Sequence, residues 1–127
     1  IELCLVGSEM CIRDRDMAIF STHLLNSIDG THASDVEIII YKVNNNNKVV
    51  FLEDKTDSSG RMLKEFELTK EDCESDYEMI INSGKYFRNT SEIINSISVK
   101  FKMKDPLKKY HIPLIVSPNG YSIWWSK

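Results

Sequence analysis

The sequence is short of the residues that cross-link or punctuate a chain. Its 127 residues include three cysteines, three prolines and five glycines. Cys4, Cys11 and Cys73 form no Cys-x-x-Cys pair and no Cys/His cluster at zinc-ligand spacing, so neither a disulfide framework nor a structural zinc site is expected. Cys73 reads as a reduced thiol in a cytosolic protein. Its acidic neighbours Glu71, Asp72 and Glu74 argue against a nucleophilic thiolate. No apolar run approaches the roughly 18 residues that cross a bilayer, so no membrane partner is expected. The net charge is only −3, which excludes nucleic acid as the main partner, because phosphate binding needs concentrated positive charge. There is no glycine-rich phosphate loop, no internal repeat and no helical stretch long enough for a βαβ crossover.

What remains is an ordinary globular mix, 42% hydrophobic and 28% charged. A chain of this length suits one domain and can bury roughly two-thirds of the surface its unfolded form exposes. The first sixteen residues, IELCLVGSEMCIRDRD, stand apart. Leu3, Leu5 and Val6 alternate too briefly for a strand, and no helical face runs through Cys11–Asp16. The segment also lacks the basic start, the apolar stretch and the cleavage site of a signal peptide. Cys4–Arg15 resembles a peptide produced when sequencing-adapter DNA is translated at contig ends. Residues 1–16 are therefore expected to be a non-native leader that packs poorly, with the domain proper running from Met17 to Lys127.

From Ala18 the pattern is short strands with turn signals between them. Ile19–Leu25 precedes Asp29-Gly30, and Val36–Val43 is rich in β-branched residues. The four asparagines Asn44–Asn47 read as a loop. Lys48–Thr56 and Arg61–Leu68 flank Asp57-Ser58-Ser59-Gly60, a hairpin signal. Thr69–Asp76 reads as a loop or helical turn, Tyr77–Asn82 as a strand, and Ser83–Asn89 as one short helix. Ile97, Val99, Phe101 and Met103 alternate with polar residues, as in a strand with one wet face. Asp105-Pro106 ends it. Tyr110–Val116 and Tyr121–Trp125 follow, joined by Ser117-Pro118-Asn119-Gly120. Seven or eight short strands at this spacing predict an all-β, immunoglobulin-like two-sheet sandwich.

Three residues could carry chemistry. His23 lies within the first strand, Arg61 directly follows the Asp57–Gly60 turn, and His111 lies in Tyr110-His111-Ile112-Pro113-Leu114. Taken singly, a strand histidine is often structural or merely exposed, and an arginine after a turn is often a solvated charge. His32, in the Gly30-Thr31-His32 turn, is expected to be exposed and without function.

Their order is more telling: strand-His, then Asp-x-x-Gly-Arg, then Tyr-His-Ile-Pro-Leu-Ile-Val-Ser-Pro-x-Gly-Tyr-Ser. This resembles the transthyretin-like family, and in particular its enzyme branch, the 5-hydroxyisourate hydrolases. The resemblance runs from about Phe20 to Ile123. Asn82-Ser83-Gly84-Lys85-Tyr86-Phe87 also looks like the family's Asp-Thr-Gly-x-Tyr-Phe. The resemblance implies a transthyretin-like sandwich and a homotetramer built as a dimer of dimers. It implies catalytic His23, Arg61 and His111 meeting where dimers join, with no cofactor and no metal. It further implies a small-molecule substrate, 5-hydroxyisourate, in cytoplasmic urate breakdown. Adding water to a ring carbonyl needs a base near neutrality, which a histidine supplies, and a charge for the developing oxyanion, which a fixed guanidinium supplies. Which histidine is the base stays open.

The tail departs from the family pattern. The enzyme branch ends in Tyr-Arg-Gly-Ser, whereas this chain reads Trp124-Trp125-Ser126-Lys127. An indole keeps an aromatic face and one donor but cannot accept or ionise as a phenol does. Ser122, Trp124 and Trp125 are the expected substrate-binding residues, and Trp125 equally suits an interface between subunits. Because neighbouring strand residues face opposite ways, one of Trp124 and Trp125 should turn to the core and the other outward. Two alternatives accompany the leading reading: hydrolysis of a different cyclic amide, or a non-catalytic small-ligand carrier on the same fold.

Overall fold

The computed structural model describes residues 17–88 and 93–124. The leader expected over residues 1–16 lies outside the described residues, as do Asn89, Trp125, Ser126 and Lys127. Eight strands run in chain order: β1 Met17–Asn26, β2 Glu37–Asn44, β3 Asn47–Lys55, β4 Arg61–Glu67, β5 Asp76–Ile81, β6 Ile97–Lys102, β7 Lys109–Ser117 and β8 Gly120–Ile123. They form two four-stranded sheets, ordered β4-β1-β7-β8 and β3-β2-β5-β6. The expected two-sheet sandwich is the observed architecture.

Alternation along the strands makes the core. In β1 every second residue from Ala18 to Asn26 is buried, because side chains in a strand point to opposite faces in turn. Phe20 and Leu24 enter from one sheet, and Ile38, Ile40, Tyr77, Met79 and Ile81 from the other. Aromatic rings tie the layers together: Phe20 stacks on Phe101 at 5.2 Å between centroids, and Phe101 on Tyr77 at 5.7 Å. Phe51 meets Phe66 edge-on at 5.2 Å.

Two local expectations need correction. The asparagine run is not all loop: Asn44 pairs with Asn47, and only Asn45 and Asn46 turn, at φ 48° and 74°. A two-residue hairpin of the favoured hand needs both central residues left-handed, and asparagine tolerates this better than other side chains. The helix, α1, covers only Ser83–Tyr86, with the Asn82 side chain accepting from the Lys85 N–H at 3.3 Å. Thr69–Asp76 contains a single 3-10 turn at Asp72–Glu74, where Asp72 pairs with Lys42.

The pairing that matters for function is least local. β1 runs parallel to β7, so Ser21 stands opposite His111 and His23 opposite Pro113. The buried Thr22 hydroxyl donates to the Ile112 carbonyl at 2.6 Å. That bond fixes the register from inside, and a slip of one residue would turn His23 and His111 into the core.

Candidate active site

The outward positions of β1 are Ile19, Ser21, His23 and Leu25. Arg61 of β4 stands directly opposite His23 on one side, and β7 brings His111 opposite Ser21 on the other. His23 and His111 are half-buried and Arg61 is exposed. Three strands thus put the three sequence-predicted residues on the same outer face of one sheet, as an open surface.

Arg61 is held there by its turn. The Asp57 carboxylate accepts from the Ser59 N–H at 2.9 Å and from the Arg61 N–H at 3.0 Å. These bonds, with the Arg61 N–H first in weight, hold the Asp57 carboxyl below the usual carboxylate range. The turn's contribution is therefore complete above the ordinary range and is lost only as pH falls through that lowered value. Gly60 has φ +72°, and a Cβ there would lie 2.5 Å from the Leu24 carbonyl oxygen. The Gly60 carbonyl in turn accepts from the Leu24 N–H at 2.8 Å. Glycine is required on both counts, conformation and room, and it seats Arg61 beside β1.

The electrostatics of His23 reflect its neighbours. Burial lowers its pKa first, then the Arg61 guanidinium, His32 and His111, while the Ser59 backbone carbonyl works the other way. A histidine so placed is a free base at neutral pH. Ser21 Oγ lies 2.8 Å from His111 Nδ1 and fixes that ring, which makes Nε2 the nitrogen through which His111 can hydrogen-bond or transfer a proton to a substrate.

Two site neighbours escape a linear reading. Ser21 reaches His111 only because β1 and β7, 90 residues apart in the chain, are adjacent. His32 is exposed as expected, yet its Nδ1 is 3.1 Å from His23 Nε2, and the two rings stack at 5.2 Å. The Asp29-Gly30 turn folds Thr31–Ala33 back on the end of β1, with Asn26 N–H donating to Thr31 and Ala33 N–H to Leu24. A histidine on each side of a tight Asp-Gly turn was the available signal. Cys73 is half-buried, and burial together with Asp72, Asp105 and Glu74 pushes its thiol up, consistent with an unreactive side chain. Among the described residues, no group of three or more histidines, cysteines or carboxylates could hold a metal ion.

The edge strand β8 completes the face. Ser122 pairs with Ile115 on the outer side, and the Trp124 N–H donates to the Pro113 carbonyl at 3.4 Å. Both Ser122 and Trp124 are exposed. By alternation Trp124 faces outward, beyond Pro113 in the row that holds His111 and Pro113.

The model of the HIUase/Transthyretin family matches residues 20–125. This chain belongs to that family. Among relatives, a "5-hydroxyisourate hydrolase" of Salmonella dublin is 30% identical over 108 residues, covering 84% of this chain and 79% of that protein. Among solved structures, (S)-allantoin synthase aligns with a TM-score of 0.73 at 22% identity, covering 90% of this chain, which spans 45% of that one. Klebsiella pneumoniae 5-hydroxyisourate hydrolase aligns with a TM-score of 0.67 at 19% identity, covering 87% and 94%. At those identities the structural matches show the fold alone. They agree with the sandwich reading.

Proposed function

We propose that this chain opens the ring of 5-hydroxyisourate by hydrolysis, as a step in urate degradation, with His23, Arg61 and His111 as its catalytic residues. The observation that carries the proposal is their convergence. Two histidines and one guanidinium, drawn from β1, β4 and β7, share one sheet face around Ser21. Nothing in the packing of the sandwich requires that arrangement.

His23 acts as the base. Its lowered pKa keeps it unprotonated at neutral pH, and a base works best when its pKa lies near or below the working pH. It takes a proton from water as the oxygen attacks the ring carbonyl. Arg61 is always charged and presents a planar fork. It orients the flat anionic substrate and stabilises the oxyanion. The C–N bond then breaks, and the departing ring nitrogen takes a proton. The proton that His23 took from water passes to it, and His111, with one ring nitrogen held by Ser21, offers Nε2 as a hydrogen-bond partner for the substrate ring. Ser122 and Trp124 line the substrate, the indole of Trp124 supplying a flat surface where the enzyme branch carries a phenol.

The assembly we infer is a homotetramer, a dimer of dimers, acting in the cytoplasm. An open face carrying Leu63, Ile115 and Trp124 among its exposed side chains has the character of a partner surface, and a second copy would close the site over its substrate. Such closure excludes water from the charges that do the chemistry.

Purified protein mixed with freshly generated 5-hydroxyisourate should remove the ring absorbance far faster than buffer does. A rate equal to buffer removes the reading. The Trp124 surface also favours a second substrate class, other flat cyclic amides, so hydantoin-type rings belong in the same assay.

A further inference from the structure

Ser21 sits at the centre of the functional face, yet its hydroxyl does nothing for the sandwich. It is an outward residue of β1, flanked along that face by Ile19 and His23. Across the strands it stands opposite Leu63 of β4 on one side and His111 of β7 on the other. Any small side chain would pack there. What the hydroxyl adds is one contact, Oγ to His111 Nδ1 at 2.8 Å, its single hydrogen bond among the described residues. A neutral imidazole carries its proton on one nitrogen and accepts at the other. The tautomer of His111 is therefore set by what its Nδ1 meets. A serine hydroxyl has one hydrogen to give, and Leu63 and Ile19 offer nothing to receive it. With a proton on Nδ1, the Ser21 O–H would be left to water and would lose even that once the face is covered, which is costly for a buried hydroxyl. With Nδ1 bare, Ser21 donates to it, and the His111 proton stands on Nε2.

We propose that Ser21 is a positioning residue that fixes neutral His111 as its Nε2–H tautomer, so that His111 acts as a hydrogen-bond donor to the carbonyl oxygen of the substrate, alongside Arg61. The inference rests on the reading of this face as the site of ring opening, and it gives the two histidines different work. The water oxygen bonds to the ring carbonyl carbon, and the water proton goes to His23. The carbonyl electron pair moves onto its oxygen, where the Arg61 guanidinium and the His111 Nε2–H meet it. That oxygen then re-forms the carbonyl as the C–N bond breaks, and the departing nitrogen takes the proton from His23. His111 gives up no proton at any point. A donor stabilises an oxyanion best when it is already aimed and cannot turn away. A ring free to change tautomer would present a lone pair to the same oxygen for part of the time. The register that brings Ser21 against His111 is held from beneath by the buried Thr22 hydroxyl, bonded to the Ile112 carbonyl at 2.6 Å. The alignment is therefore built into the sheet before substrate arrives.

The test reads the ring and the rate separately. Two-bond proton–nitrogen correlation spectra of the whole protein, taken at about pH 8.5 and so above the ordinary imidazole range, report the tautomer of each histidine. His111 should show a protonated Nε2 and a bare Nδ1. In Ser21→Ala both nitrogens should move toward values averaged over the two tautomers. Its kcat should fall by about tenfold or more, with KM changed by less than about threefold. Ser21→Thr keeps a hydroxyl on the same carbon and suits a strand. It should restore the Nε2–H tautomer and bring kcat to within about threefold of the unmodified protein. A protonated Nδ1 in the unmodified protein overturns the inference. So does an unchanged kcat in Ser21→Ala, and so does a Ser21→Thr protein that holds the tautomer but turns over no faster than Ser21→Ala. The spectra need no turnover. An Nε2–H tautomer in a protein that leaves 5-hydroxyisourate intact rejects the ring-opening reading alone, whereas ring opening with a protonated His111 Nδ1 rejects this inference alone.

Discussion

The two sheets expose outer faces of opposite character. On the β3-β2-β5-β6 side, charges answer each other across strands. Lys48 reaches Glu78 at 2.6 Å and lies over the Tyr41 ring at 5.6 Å, Lys85 reaches Glu37 at 2.8 Å, and Lys102 pairs with Asp76. Ser98 donates to Glu78 as well. The charges of this face are answered by their own neighbours, while Val49 and Val50 of β3 are exposed. On the β4-β1-β7-β8 side stand His23, His111, Arg61 and the exposed side chains of Leu63, Ile115 and Trp124. Histidine and arginine close together repel when both are charged, and exposed apolar groups gain from being covered. One sandwich thus carries a sheet whose charges are paired and a sheet whose histidines and arginine ask for a substrate and a partner.

The largest break in that contrast should come from one glycine beneath it. Gly60→Ala places a Cβ 2.5 Å from the Leu24 carbonyl oxygen, on a residue whose φ is +72°. Backbone must shift, and it is the backbone that aligns Arg61 with His23. A loss of about 2 kcal/mol or more in urea unfolding is expected, together with most of the ring-opening activity. Stability within about 0.5 kcal/mol of the unmodified protein would mean that the turn accommodates the methyl group. Next in size is Arg61→Ala, which leaves the fold intact because the side chain is exposed. Turnover should fall by more than about tenfold, as for the loss of one electrostatic stabiliser. An unchanged rate assigns Arg61 to the solvated surface and dissolves the functional face.

The same contrast shows what could be read from the sequence. The polar and apolar residues of β6 alternate visibly, Ile97 to Met103, and the β-branched run of β2 needs no context, so the strands and the sandwich were legible. His23, Arg61 and His111 were legible as an ordered set, though not as a geometry. What joins them is the parallel pairing of β1 with β7 and the Ser21–His111 bond across 90 residues, and long-range pairing leaves no local trace. The contact of His32 with His23 is illegible for the converse reason. It is close in sequence, but a polar residue in a turn looks like solvent-facing decoration until the loop is seen to fold its ring onto His23. The asparagine run reads as loop because its composition outweighs its register. Only Asn45 and Asn46 carry the left-handed φ values the turn needs.

The apolar part of the functional face gives a prediction of intermediate size. Trp124 is 44% exposed at the end of edge strand β8, in line with Pro113 and His111. If a second copy covers it, Trp124→Lys places a desolvated charge in the interface and should weaken association by about tenfold or more. Sedimentation or light scattering at micromolar concentration reads this directly. Activity should fall in step with assembly if each site is completed by two subunits. A tetramer that persists in Trp124→Lys with reduced activity would place the indole against substrate and not against a partner.

The smallest effect is expected on the charge-paired face, and it is the control that gives the others meaning. Lys102 and Asp76 form a pair whose side chains are 53% and 62% exposed, and they stand opposite each other on β6 and β5. Water screens such a pair and each side chain gives up rotamer freedom to hold it. Lys102→Ala should therefore change stability by no more than about 0.5 kcal/mol. Its kcat/KM and its oligomeric state should match the unmodified protein, since the whole sandwich separates it from His23. The comparison fails if removing this one charge lowers activity or dissociates the assembly. In that case the charged sheet, and not the histidine-bearing one, would be the surface that copies of this chain share, and the apolar groups beside His111 would need another partner.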